Sequence, residues 1–150
     1  MADSTLPEIE RTIGALLRVP WQVLAERVYG ALAAGGYPEI RPAHGVVFRY
    51  IRAEGSRIVE LAERAGMTKQ SMAVLVDHLA THGYVSVEPD PSDGRAKRVR
   101  LTRSGKEVQR AALKLSRQVE AEWAALIGAQ EMASLRQLLE RLYDSLQDSR

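Results

Sequence analysis

Apolar residues recur at helical spacing through the first part of the chain. Ile9, Ile13, Leu16 and Leu17 form one run, Pro20 interrupts it, and Trp21, Leu24, Val28 and Leu32 resume it until Gly35-Gly36. The pattern predicts one helix kinked at Pro20 or two helical pieces. Pro38 and Pro42 bracket a short connection, and Ala43 to Arg52 reads as a second helix closed by Gly55. A short helix is predicted over Ile58–Ala65, followed by a Gly66-Met67 turn. Thr68 is a good N-cap for a helix running to about Thr81, where His82-Gly83 ends it.

The period then changes. Val85 and Val87 alternate with Ser86 and Glu88, and Val99 and Leu101 alternate with Arg98 and Arg100. Turn formers fill Pro89 to Gly94, so a two-stranded hairpin with a long tip is expected. Thr102 can cap a helix continuing to Ile127, with Val108, Ala112, Leu115, Val119, Trp123 and Leu126 on its apolar side. Met132, Leu135, Leu139, Leu142 and Leu146 mark a final helix. The three-then-four spacing of both is that of helices packed along their length. A short helix, a glycine turn, a second helix and a basic hairpin, in that order, make a winged helix-turn-helix. The fold class expected is therefore mainly α with a small β-hairpin wing. One domain, 1–150, would contain helical dimerisation segments at 1–40 and 103–150 around a winged helix-turn-helix at 41–102.

Composition narrows the classes. The chain is 45% apolar and 27% charged, the balance of an ordinary globular domain. The N-terminus is acidic and polar, unlike a secretory signal, and Glu26-Arg27 break the longest apolar stretch. A cytoplasmic protein without membrane contact is expected. The absence of cysteine excludes disulfides, thiolate nucleophiles and cysteine-ligated zinc. The net charge of +2 hides an asymmetry: residues 41–110 hold thirteen basic and eight acidic side chains. From Gly94 to Arg110 there are seven basic residues and one acid, Glu107. Such a patch suits phosphate, although a solvated surface has the same composition.

Candidate chemistry concentrates in the second helix of the motif and in the hairpin. Met72, Leu75, Val76 and Leu79 share one face, which is expected to anchor the helix. Thr68, Lys69, Gln70, Ser71, Val74 and Asp77 lie around the other, crowded towards the N-terminus, where short polar groups can reach base edges in a major groove. In the hairpin, Arg95 follows the Asp93-Gly94 turn and is expected at the tip, with Lys97, Arg98 and Arg100 behind it. An arginine on a narrow ribbon can enter a minor groove. Asp93 is expected to pair with a nearby arginine and fix the tip. A surface turn with incidental charges is the plainer alternative.

Other chemistries find little support. His78 and His82 stand four apart on a helix, but no third metal ligand accompanies them, so surface histidines and no metal are expected. No phosphate loop, nucleophile elbow or acid–base pair stands out, and neither catalysis nor a cofactor is expected.

The run from Arg57 to Leu79 resembles the helix-turn-helix of MarR-type transcription regulators. Gly83-Tyr84-Val85, Asp90-Pro91-Ser92-Asp93-Gly94-Arg95-Ala96 and Leu101-Thr102-Arg103-Ser104-Gly105 resemble that family's wing and the start of its next helix. The close resemblance covers about residues 55–106. It implies a homodimer with intertwined terminal helices, binding pseudo-palindromic double-stranded DNA operators, often as a repressor released by a small phenolic or other organic ligand. By this resemblance Lys69, Gln70, Ser71 and Val74 lie on the reading face, and Arg95 is the wing arginine supported by Asp93. Many relatives carry arginine where this chain has Val74, which could touch a thymine methyl or contribute less affinity. A ligand pocket would lie near Trp21, Tyr29, His44 and Phe48, which are also ordinary candidates for core or interface. The lack of cysteine argues against the peroxide-sensing branch. An interaction module that has lost DNA binding is the competing reading: Val74 permits it and the basic wing opposes it.

Overall fold

The computed structural model describes residues 11–149, so Ile9 and the start of the expected 1–40 segment lie outside the described residues. Two compact units divide the chain at Leu113/Lys114. In the first, α1 (Ile13–Ala34) begins where Thr12 Oγ1 accepts from the Ala15 N–H (3.4 Å) and runs through Pro20 as one helix. A 3₁₀ turn at Pro42–His44 leads into α2 (Gly45–Tyr50). The second helix is thus shorter than Ala43–Arg52, because Pro42 and its turn occupy the first positions and Ile51 is already extended.

The helix-turn-helix follows as α3 (Ile58–Ala65) and α4 (Lys69–Thr81). Glu60 accepts from the Arg57 N–H (3.0 Å) at the start of α3. Between the helices Gly66 adopts φ +64°, a left-handed conformation that a side chain would strain, and the Met67 N–H returns to the Ala62 carbonyl. Thr68 caps α4 by accepting from the Ser71 N–H (3.1 Å).

The wing is a three-stranded antiparallel sheet rather than a two-stranded hairpin. Ser56–Arg57 forms a short β1 on the outer edge of β3 (Asp93–Leu101), which also pairs with β2 (Val85–Asp90) in the order β1-β3-β2. Two residues were too few to show a period in the sequence. The tip is a tight turn followed by a bulge. Asp90 pairs with Asp93 across Pro91 and Ser92, while Pro89 pairs with Lys97, so the shift between Pro89 and Asp90 leaves Gly94, Arg95 and Ala96 without partners on β2.

α5 (Arg103–Ile127) begins at Thr102, whose Oγ1 accepts from the Gly105 N–H (3.1 Å) and donates to the Gly83 carbonyl (2.6 Å). A Cβ on Gly105 would collide with the Tyr84 carbonyl, so only glycine allows this approach. Leu32, Val47, Leu61, Met72, Val76, Leu79, Val99 and Val108 are fully buried and join the helices and sheet of the first unit. The second unit contains the remainder of α5 and α6 (Ala129–Asp148), where Arg136 bridges Glu120 (2.6 Å) and Glu140 (3.0 Å). No residue of α6 is buried, and Leu135, Leu138, Leu139, Leu142, Tyr143 and Leu146 are all exposed.

Candidate nucleic-acid interface

Helix α4 turns the face bearing Met72, Val76 and Leu79 into the core. Thr68, Lys69, Gln70, Ser71, Val74 and Asp77 are all exposed, as the spacing predicts. They are not equally free. Thr68 Oγ1 donates to Ser71 Oγ (2.9 Å) while accepting the Ser71 N–H, so these two hydroxyls are engaged with each other. Among the described residues, Lys69, Gln70 and Val74 have side chains that nothing in the protein engages.

At its other end α4 is fastened to the connection after α1. The His78 Nε2–H donates to the Glu39 carbonyl (3.0 Å), and Tyr84 donates to the Glu39 carboxylate (2.8 Å). His44, His78 and His82 form a ladder of rings, with centroids 4.4 Å and then 4.5 Å apart. His44 is buried and its Nδ1 accepts the Arg41 N–H (2.9 Å), so its ring is neutral. Burial first, then the His78 ring and Arg41, push its pKa down to about 4. His78 is therefore half-buried in a stack, not a plain surface histidine. Stacked rings do not converge on one point, and no metal-binding cluster occurs among the described residues.

In the wing, Arg95 and Lys97 are exposed and their side chains have no partner among the described residues. Arg95 stands third in β3, in the middle of the Gly94-Arg95-Ala96 stretch that the register shift leaves without partners on β2, close to the Pro91-Ser92 turn. Arg98 is committed inward: Nη2 donates to Asp90 (3.2 Å) and Nη1 to the Glu54 carbonyl (3.3 Å). Asp93 does not take the expected arginine side chain; its Oδ1 accepts the Arg95 backbone N–H (3.1 Å).

The arginine-pairing acid is Asp90, which sequence reasoning treated only as a turn former. Its side chain is wholly buried, with Oδ2 accepting from Arg57 Nε (2.8 Å) and Arg98 Nη2. Oδ1 accepts from the Ser92 hydroxyl (2.6 Å) and N–H (2.8 Å). Those bonds, led by the Ser92 hydroxyl and Arg57, hold the carboxyl well below the usual carboxylate range. Its partners come from the neighbouring strand β3 (Arg98) and the edge strand β1 (Arg57), a pairing that the sequence pattern did not show.

The four residues expected near a ligand pocket differ in exposure. His44 and Phe48 are buried, Tyr29 packs its hydroxyl against Gly45, and Trp21 is exposed on α1. An open cleft of about 300 Å³ lies elsewhere, walled by Ile51, Ala53, Leu101 and Gln109 with Arg52, Lys106 and Arg110 on its rim. No helix of the described residues is long and apolar enough to cross a membrane.

A glycine-turned helix pair with a free polar face, beside a three-stranded wing carrying free cations, defines a winged helix-turn-helix DNA-binding protein. Known proteins narrow the class. A sequence profile of the MarR family matches residues 40–96. Transcriptional regulator HosA of Escherichia coli O111:H- is 27% identical over 105 residues, spanning 70% of this chain and 78% of HosA. Wild-type apo MarR from E. coli superposes with a TM-score of 0.71 at 25% identity, over 87% of this chain and 96% of MarR. CouR, a transcriptional repressor solved on a 23-mer DNA duplex, gives 0.73 at 23% identity over 91% of this chain and 96% of CouR. CouR from Rhodococcus jostii RHA1 bound to p-coumaroyl-CoA gives 0.69 at 24% identity over 91% and 95%. The MarR-family profile thus covers the winged module of this chain, and the fold is similar to that of MarR-type DNA-binding transcriptional regulators.

Proposed function

We propose that the protein is a cytoplasmic homodimeric repressor that binds a pseudo-palindromic operator, one winged module to each half-site, and leaves it on binding a small organic ligand. The observation that carries this reading is that Lys69, Gln70 and Val74 on α4, and Arg95 and Lys97 on β3, are exposed and unengaged while their supports are tied down. Lys69, Gln70, Ser71 and Val74, with Thr68 at the cap, face the major groove; Arg95 and Lys97 follow the backbone or minor groove. Arg98 and Asp93 hold the wing in shape. CouR supplies the precedent for DNA binding by this fold.

Dimerisation explains the apolar surface. Ile13, Leu16, Leu17, Val19, Trp21 and Val23 on α1 are exposed, as is the leucine series of α6. The apolar helical segments that flank residues 41–102 would then meet their counterparts in a two-fold pair, leaving 41–102 to face DNA. The ligand is of the phenolic acid or acyl type, in keeping with the p-coumaroyl-CoA bound by CouR. Tyr29, His44 and Phe48, completed by Trp21, would receive its ring.

The test is titration of the purified protein against genomic and random duplexes at several salt concentrations. A repressor binds one palindromic fragment saturably as a dimer, and Arg95→Ala weakens binding and lowers the salt slope by about one unit. Weak binding, uniform across sequences and abolished by moderate salt, would instead favour a protein-interaction module.

A further inference from the structure

Val74 is 67% exposed, a large apolar side chain in the middle of a face whose other free groups are polar or charged. Successive α-helical residues are offset by about 100°. Taking the buried Met72, Val76 and Leu79 as the inward direction, the outward centre of α4 falls between Gln70 and Val74. Asp77, one turn beyond Val74 on this face, carries a charge that phosphates repel, so it bounds the window on the C-terminal side. Thr68 and Ser71 are engaged with each other on the N-terminal side. The outermost uncommitted groups between those limits are the Gln70 amide and the Val74 methyls.

We propose that Gln70 and Val74 are the specificity-determining pair, Gln70 bonding an adenine through N6 and N7 and Val74 packing on a thymine C5-methyl. This inference rests on the operator-binding reading above. The chemistry follows from what each side chain can distinguish. A carboxamide matches the donor–acceptor edge of adenine, whereas an isopropyl group has no hydrogen-bonding choice and finds its only apolar partner in the major groove on thymine. Four residues of helix rise about 6 Å, against about 3.4 Å per base step, so the two contacts fall roughly two steps apart. Each half-site therefore contains an A·T pair at both positions.

The experiment replaces each thymine of the selected operator half-site with deoxyuridine, one at a time, removing only the methyl. Dissociation constants are measured at fixed salt for the wild type, Val74→Ala and Gln70→Ala. At one thymine per half-site, demethylation should weaken the wild type about three- to tenfold and leave Val74→Ala unchanged. Gln70→Ala should instead relax discrimination at an adenine about two steps away, where 7-deazaadenine reproduces the loss in the wild type. Both substitutions are on exposed helix, where alanine is favourable, and matched thermal unfolding checks the fold. Deoxyuridine effects identical in the wild type and Val74→Ala at every position would overturn the pairing while leaving operator binding intact. Absence of sequence-specific binding by the wild type would overturn both.

Discussion

Asp90 shows how much one side chain can decide. A buried carboxylate with four hydrogen bonds has no unsatisfied lone pair to speak of, and removing its charge would leave two arginines facing a neutral amide. Asp90→Asn should lower the melting temperature at pH 7. Because the folded-state pKa is depressed, the stability Asp90 contributes is present above the ordinary aspartate value and lost as pH falls below it. The difference in melting temperature between wild type and Asp90→Asn should therefore shrink at about pH 3. A gap that stays constant with pH would remove the electrostatic explanation. Gly105 is decisive for a different reason, the approach of the Tyr84 carbonyl. Gly105→Ala should cost about 1–3 kcal/mol in urea unfolding, the range of an overpacked site.

At the scale of elements, local signals and long-range ones separate cleanly. Thr68→Ala removes the acceptor of the Ser71 N–H and should destabilise the protein by about 1 kcal/mol, measurable by chemical denaturation. That cap, the Gly66 turn and the Thr102 start were legible in the sequence because each acts within a few residues. They bound α3 and α4, and with Gly128 the long α5, where the sequence reading placed them. The edge strand β1 was not legible, since its pairing with Val99 and Arg98 spans more than forty residues. Nor was the Asp90 cluster, whose Arg57 lies 33 positions away. The exposed face of α4 could be read from periodicity. The loss of Thr68 and Ser71 to mutual bonding could not, because it depends on rotamers.

For the whole molecule, two measurements follow from burial. The exposed leucines of α6 and the apolar side of α1 are the surface through which the proposed homodimer would form. Sedimentation should find a dimer, and the melting temperature should rise with protein concentration. The buried His44 makes stability sensitive to mild acid. His44 has a folded-state pKa of about 4, below the ordinary histidine value near 6.5, so stability is complete above about pH 6.5 and declines as pH falls towards about 4. His44→Phe keeps a ring but no basic nitrogen, and it should flatten that segment of the pH profile even if it lowers stability at pH 7. A profile unchanged by the substitution would place the acid sensitivity elsewhere. The Asp90 joint has a last consequence, because Arg57 belongs both to the sheet edge and to the first turn of the helix pair. On the proposed operator-binding reading, the helix pair and the wing would thus be set on a common pin, with a fixed stride between them. An operator lengthened by a single base pair inside a half-site cannot be matched by sliding one reader along, so each half-site should behave as one indivisible word, intolerant of insertion even where it forgives substitution.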